Sequence, residues 1–239
     1  MRLVSFNMRH GGSREHWSAL IEATAPDLIF AQETLRPCAL EPALVEGCSG
    51  SHAPWAPAND GRWGSAVFHA GGGLRPMTLE SLSGWVVGTV WASPLGTVCV
   101  WSVHLPPVRG SYLNAAHEVL DLLAPSLPEM PMILAGDWNV TVGVRHPDEE
   151  MENKKGEVEL LERLESEFDV RSAWSVANPG MHLPQTLRWA RDPKPPYHCD
   201  GIFLPSAWCE RIVRAEVLSG SPWTELSDHN PLLVELSVG

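Results

Sequence analysis

Ser227-Asp228-His229-Asn230-Pro231 sets an acid beside an imidazole directly ahead of the apolar run Leu232-Leu233-Val234-Glu235-Leu236. Neighbouring strand residues point to opposite faces, so the two serve one site only where the chain is still turning into the strand. The dipeptide alone carries little. Its weight comes from the other places where a hydrophobic run meets a carboxylate, amide or imidazole. Asn7 closes the run from Arg2 to Phe6, and Glu33 follows Leu28-Ile29-Phe30-Ala31-Gln32. His104 closes Val98 to Val103, Asp137 and Asn139 close Ile133-Leu134-Ala135-Gly136, and Asp200 opens Gly201-Ile202-Phe203-Leu204. Strand ends lie on sheet rims, where loops converge over a rigid base.

Such a cluster suits one kind of chemistry. A hard divalent ion such as Mg²⁺ takes oxygen ligands, using one or two carboxylates together with waters and substrate phosphate. Glu33 is the first candidate ligand, with Asn7 and Asp228 beside it. Cleaving a phosphoester also needs a group that orients or deprotonates water and one that stabilises charge on the phosphoryl oxygens. Asp137 suits the first task and Asn139 the second, since residues two apart on a strand end point the same way. His229 needs a partner to fix its tautomer, and Asp200 is the available carboxylate.

These residues must be positioned by regular elements. Strands are expected at Arg2 to Phe6, Leu28 to Ala31, Ser65 to Phe68, Trp85 to Trp91 and Thr97 to Val103. Further strands are expected at Met132 to Ala135, Thr186 to Trp189, Gly201 to Leu204, Arg211 to Leu218 and Leu232 to Val238. Helical spacing marks Arg14 to Ala25 with Ser13 as N-cap, Ser111 to Leu123, Val158 to Phe168 and a short helix within Pro37 to Val45. Hairpins at one point and helix-separated strands at another predict two packed sheets flanked by helices. The charged stretch from Thr141 to Lys155 reads as a mobile loop. No repeat or linker divides the chain, so residues 1–239 read as one domain.

Seven segments, in order, resemble the endonuclease/exonuclease/phosphatase superfamily, which includes deoxyribonuclease I and exonuclease III-type abasic endonucleases. They are Ser5-Phe6-Asn7, Gln32-Glu33, Gly61-Arg62-Trp63-Gly64-Ser65-Ala66-Val67, Ser102-Val103-His104, Leu134-Ala135-Gly136-Asp137-Trp138-Asn139, His198-Cys199-Asp200-Gly201-Ile202-Phe203 and Ser227-Asp228-His229-Asn230-Pro231. The resemblance implies an α/β four-layer sandwich, two mixed sheets face to face with helices outside, and Mg²⁺- or Mn²⁺-dependent phosphoester hydrolysis. It implies metal ligation by Glu33 with Asn7 and Asp228, and placement of water and phosphate by Asp137 and Asn139. It implies a His229–Asp200 pair at the scissile phosphate, His229 being general base or cationic stabiliser, and His104 assisting the leaving group. Arg-Ile-Asp-Tyr is the usual text around the acid of that pair; here it is His198-Cys199-Asp200-Gly201, which alters the flank of the site and keeps the acid.

The substrate side is less determined. Arg62, Trp63, Arg188 and Trp189 are the candidate substrate contacts, with Arg191 and Lys194 extending a small basic patch. Trp138 and Trp223 also adjoin motif segments, whereas Trp85, Trp91 and Trp101 read as core. Seventeen Lys and Arg against 29 Asp and Glu give a net charge of -12, which argues against a broad basic surface for duplex DNA. An acidic enzyme can still bring metal ions to a phosphate. The substrate is therefore expected among nucleic acids, nucleotides and other small phosphate esters. A catalytically silent binding protein is the third reading, opposed by the intact acid, amide and imidazole set. His10, His146 and His182 receive no role. Five cysteines, odd in number and without a CxxC pair, make a disulfide framework unexpected and a reducing cytoplasm the expected compartment. No apolar run approaches the ~20 residues of a membrane span, so no membrane partner is expected, and a monomer is.

Overall fold

A computed structural model describes residues 1–41, 43–59, 61–126, 130–189 and 197–239. Twelve strands fall into two six-stranded sheets. The first sheet holds β1 (Arg2–Gly12), β2 (Leu28–Thr34), β3 (Trp55–Pro57) and β4 (Gly64–Phe68). The second holds β5 (Arg75–Thr78), β6 (Val86–Ser93), β7 (Gly96–His104), β8 (Met132–Asp137), β9 (Val170–Ser172) and β10 (Asp200–Pro205), and β11 (Ile212–Val217) and β12 (Leu232–Leu236) return to the first. Strand orders are β11-β12-β1-β2-β4-β3 and β5-β6-β7-β8-β10-β9. At the middle of each sheet one pair is parallel, β1 with β2 and β7 with β8. The other pairings are antiparallel.

A parallel pair needs a crossover, and a helix supplies each one. Helix α1 (Arg14–Thr24) joins β1 to β2, and α2 (Tyr112–Leu123) lies between β7 and β8. Ser13 occupies the N-cap of α1, its backbone N–H donating to His16 Nδ1 at 3.2 Å. Trp17, Leu20 and Thr24 form the buried stripe, and the helix ends where Ala25 turns left-handed before Pro26. Ser111 caps α2 by accepting from the Asn114 N–H. Helix α3 (Lys155–Phe168) buries Leu160, Leu164 and Phe168. Two short helices, α4 (Ala173–Ala177) and α5 (Trp223–Leu226), complete the described elements.

Alternation along the strands sorts their side chains into three cores. Leu3, Phe30, Val98, Val100, Ile133, Ala135, Ile202, Leu204, Leu232 and Val234 meet between the sheets. Val4, Phe6, Ile29 and Leu233 face α1 outside the first sheet. Trp101, Val103, Leu134 and Phe203 face α2 and α3 outside the second. The expected four layers are therefore present.

Several local expectations differ. Pro37–Ala39 forms only a single tight turn, and Cys38 is bonded to Cys48, against the expectation drawn from the odd cysteine count. That bond is a feature of oxidising surroundings, so it pulls against the reducing compartment expected from sequence. Cys99, Cys199 and Cys209 are buried and form no disulfide. Thr186 to Trp189 makes isolated bridges from Leu187 to Tyr197 and to His229 rather than a strand. The charged stretch after Thr141 is a loop, as expected, hydrogen-bonded within itself and to Leu183. Glu149 accepts from Arg145 at 2.8 Å and from the Leu183 N–H at 2.9 Å, and Asn153 accepts from the Arg145 N–H at 2.8 Å. Trp138 and Trp223 are core residues, as are Trp91 and Trp101, whereas Trp85 is only half-buried and precedes its strand. No helix among the described residues is long and apolar enough to cross a membrane.

Candidate active site

Period-two alternation carries the inter-sheet core up to one rim and ends it in polar groups. Leu3 and Ser5 lead to Asn7; Val98, Val100 and Ser102 lead to His104; Ile133 and Ala135 lead to Asp137; Leu204 and Ile202 lead back to Asp200. The strand directions explain why these meet. Parallel β1, β2, β7 and β8 finish at this rim, while β10 and β12, antiparallel to β8 and β1, begin there. Asn7, His104, Asp137, Asp200 and His229 are all buried at this end of the sandwich.

Glu33 arrives by another device. Alternation after Phe30 turns Gln32 inward, where its Nε2 donates to Ser102 Oγ of the opposite sheet at 3.0 Å. Glu33 should then face outward. The β2–β4 register shifts between Ala31 and Thr34, and Glu33 sits at φ 52, so the bulge re-aims its carboxylate to the rim. Asn7 Nδ2 donates to Glu33 Oε1 at 3.2 Å and to Asp137 Oδ2 at 3.0 Å. Its Oδ1 accepts from the Arg9 N–H, so Asn7 bridges the two acids as a donor. His10, given no role from sequence, meets Glu33 twice, through its N–H at 2.8 Å and Nδ1 at 2.9 Å. The polar run Arg9-His10-Gly11-Gly12 after the first strand motif was the available signal.

Asp137 sits at the centre. Gly136 precedes it at φ 147, and a Cβ there would stand 1.8 Å from the Val103 carbonyl oxygen, so only glycine fits. Asp137 Oδ1 accepts from the Asn139 N–H at 2.9 Å, and Asn139 itself is left-handed at φ 51. The Asn139 amide donates to Leu105 O and Asp137 Oδ2, both at 3.3 Å. His104 Nε2 lies 3.6 Å from Glu33 Oε1 and 3.9 Å from Asp137 Oδ2. Burial pushes the His104 imidazole down, partly offset by Asp137 and Glu33.

His229 Nε2 lies 3.8 Å from Asp137 Oδ2, and its Nδ1 lies 2.9 Å from Asp200 Oδ2. Burial alone would lower this imidazole, but Asp200, then Asp137 and Asp228, outweigh it and raise it to about 10. Thr186 Oγ1 accepts from the backbone N–H groups of Cys199 and Asp200, fixing the start of β10. Ser227 Oγ donates to Asn7 O at 2.8 Å and accepts from the His229 N–H, tying the last motif to the first.

The remaining expected residues lie around this centre. Asp228 pairs with Arg9 Nε at 3.5 Å instead of contacting Glu33. Trp63 forms one wall, its ring 5.7 Å from His104, 5.6 Å from His10 and edge-on to Trp85 at 5.5 Å; Arg62 beside it is exposed. Trp189 is 44% exposed and lies edge-on to Tyr197. Arg188 is occupied: its guanidinium donates to Asn230 Oδ1 and to the carbonyls of Trp223, Ser227 and His229. That spends its fork on bracing the loop carrying His229, not on a substrate phosphate. Arg191 and Lys194 lie outside the described residues. A cavity of about 280 Å³ opens next to Asn139 and Cys199, lined also by Tyr112, Lys154 and Tyr197. A cavity of about 370 Å³ beside the disulfide touches none of the expected residues.

No protein-family model and no curated protein matches the chain. Solved structures do. An AP endonuclease from Archaeoglobus fulgidus superposes at TM-score 0.73 and 17% identity, covering 99% of each chain. A 3′ phosphatase from Neisseria, bound to product DNA hairpin, gives 0.72 at 12% identity, again over 99% of both. The endonuclease domain of TRAS1, a telomere-specific non-LTR retrotransposon, gives 0.66 at 15%, over 99% of this chain and 98% of that one. At these identities the shared property is the fold. It is an α/β sandwich of two mixed sheets face to face with helices outside, the four-layer fold that the seven segments implied.

Proposed function

We propose that this chain hydrolyses phosphoesters of DNA or nucleotides with a bound divalent cation, Mg²⁺ or Mn²⁺. One observation carries the reading: Glu33, Asn7, Asp137 and Asp200, from four strands of two sheets, and His229, from the loop before β12, form a continuous chain of polar contacts on one rim. The half-buried Glu33 carboxylate and the buried Asp137 carboxylate, bridged by an amide N–H, have the donor chemistry a hard cation satisfies. Glu33 and Asn7 would hold it, Asn7 by turning its amide, with Asp228 reached through the rim. The cation supplies positive charge at the phosphate and lowers the pKa of water.

The chain's own groups do the rest. Asp137, fixed by the Asn139 N–H on one oxygen, accepts the proton of the attacking water on the other. Asn139 positions a phosphate oxygen with its amide. His229, backed by Asp200 and held as an imidazolium, stabilises negative charge on the phosphoryl group. His104 stands between Glu33 and Asp137, where it can pass a proton to the leaving oxygen. Trp63 beside His104 and the exposed Trp189 offer π-faces to a base, and Arg62 an exposed cation. Arg188 acts as a positioning residue for the His229 loop.

The named relatives in fold act on DNA, as AP endonuclease and 3′ phosphatase, which favours a DNA ester over a lipid or sugar phosphate. The test offers the purified chain plasmid, an abasic-site duplex, a 3′-phosphate hairpin and bis-p-nitrophenyl phosphate, each with Mg²⁺, Mn²⁺ or EDTA. Metal-dependent cleavage of a DNA substrate is expected. Hydrolysis in EDTA would remove the cation from the reading, and no hydrolysis of any ester would return the chain to the silent binding proteins.

A further inference from the structure

The polar rim has two chemically different ends. At the Glu33–Asn7 end the donors are carboxylate and amide oxygens. At the other end a thiol joins. Cys199, buried on the floor of the site, directs Sγ to within 3.7 Å of Asp200 Oδ2. A ligand atom from each of Asp137, Cys199 and His229 lies within 4.8 Å of the others, and all three residues are buried. One oxygen, one sulfur and one nitrogen are thus close enough to share a single centre.

We propose that Asp137, Cys199 and His229 form a binding site for a thiophilic divalent cation, Zn²⁺ by its chemistry, which shuts off hydrolysis when occupied. Three ligands around zinc at about 2.0–2.3 Å stand roughly 3.3–3.7 Å apart at tetrahedral angles. His229 Nε2 and Asp137 Oδ2, at 3.8 Å, are nearly there. The Asp200 carboxylate behind His229 Nδ1 is the second-layer partner that metal-bound histidines carry. A thiolate and an imidazole select zinc over magnesium, which asks for six oxygens. As the S–metal and N–metal bonds form, the Cys199 thiol proton and the His229 Nε2 proton both leave to solvent, Nδ1–H stays on Asp200, and a water completes the fourth position. Zinc there removes Asp137 from the water and His229 from the phosphate together. The inhibitory part rests on the hydrolase reading; the metal site does not.

Co²⁺, a coloured stand-in for zinc, separates the two. Titrated into the full apo chain, it should give a near-ultraviolet thiolate charge-transfer band saturating at one equivalent, and Zn²⁺ should abolish that band by displacement. Cys199→Ala and Cys199→Ser should each lose it, with near-ultraviolet circular dichroism confirming their fold, while Cys209→Ser keeps it. Absence of the band in the natural chain, or its survival in folded Cys199→Ala, overturns the site. In Mg²⁺-driven hydrolysis, Cys199→Ala should need about tenfold or more Zn²⁺ for half inhibition. Equal inhibition of both proteins overturns the inhibitory role. A normal band in a chain that cleaves no ester would sink the hydrolase reading and leave the metal site standing.

Discussion

The parallel pairs at the middle of the two sheets are built alike and end differently. Each joins its strands through one helix and delivers two polar residues to the same rim. The β1–β2 pair ends in an amide and a carboxylate, Asn7 and Glu33; the β7–β8 pair ends in an imidazole and a carboxylate, His104 and Asp137. The backbone differs in parallel. In the first sheet the left-handed residues are Arg9, His10 and Glu33, so the expected ligand is itself strained. In the second, Gly136 and Asn139 take the unusual angles on either side of Asp137, which stays in ordinary strand geometry. Such a division suits a cation holder facing a proton acceptor. A holder can shift as it takes up its ion, but an acceptor must be aimed beforehand.

Substitutions in the two sheets should accordingly fail differently. Asp137→Asn and His229→Ala should each lower turnover by about 100- to 10,000-fold at saturating Mg²⁺, measured on the best ester, with the metal titration midpoint nearly unmoved. Near-normal turnover in either would break the second sheet's half of the contrast.

The next effect is on stability and lies beside Asp200. His198 is wholly buried, its Nδ1 donating to Pro184 O at 2.9 Å while Nε2 has no partner among the described residues. Burial pushes its imidazole from 6.5 down to about 4, because protonation would leave an unpaired N–H in the core. Unfolded chain therefore takes up this proton first as pH falls. The stability contribution is whole above about 6.5 and drains away as pH falls towards about 4, a loss of roughly 3 kcal/mol. Urea melts of the natural chain and His198→Gln across that window should diverge; parallel curves would show that His198 is not the acid-sensitive group.

Glu33→Gln should raise the Mg²⁺ needed for half activity by about tenfold or more while leaving the saturated rate within a few fold. A rate loss that excess metal cannot repair would merge the two sheets' roles. The smallest effect belongs to Arg188→Lys. Losing the guanidinium fork should slacken the His229 loop and lower turnover about fivefold, roughly 1 kcal/mol, without changing KM. A raised KM with unchanged turnover would return Arg188 to substrate binding.

How much of this could be read from the sequence depends on the range of the cause. Strand cores with buried runs, such as Leu28 to Ala31 and Ile133 to Ala135, announce themselves, because composition and period two are local signals. The convergence of Asn7, Glu33, Asp137, Asp200 and His229 was legible through their common position at strand ends. Other features turned on contacts between distant segments. Glu33 needs a bulge set by its pairing with β4. Cys38 reaches Cys48 through loop geometry that odd counting hides. Arg188 looks like a free cation until the carbonyls of residues 223–229 close around it. Trp85 sits in an apolar run yet its ring lies tilted 5.0 Å from that of His104, because its strand begins one residue later.

The hydrogen bond from Ser227 to Asn7 spans nearly the length of the chain, and β12 slots between β1 and β11. On the ribosome, Asn7 and Glu33 emerge early, Asp137 and Asp200 later, and His229 after all of them. A half-made chain therefore carries acids without the imidazole that completes them. Under the proposed hydrolase reading, the chain would gain its activity only once the final strand has been made.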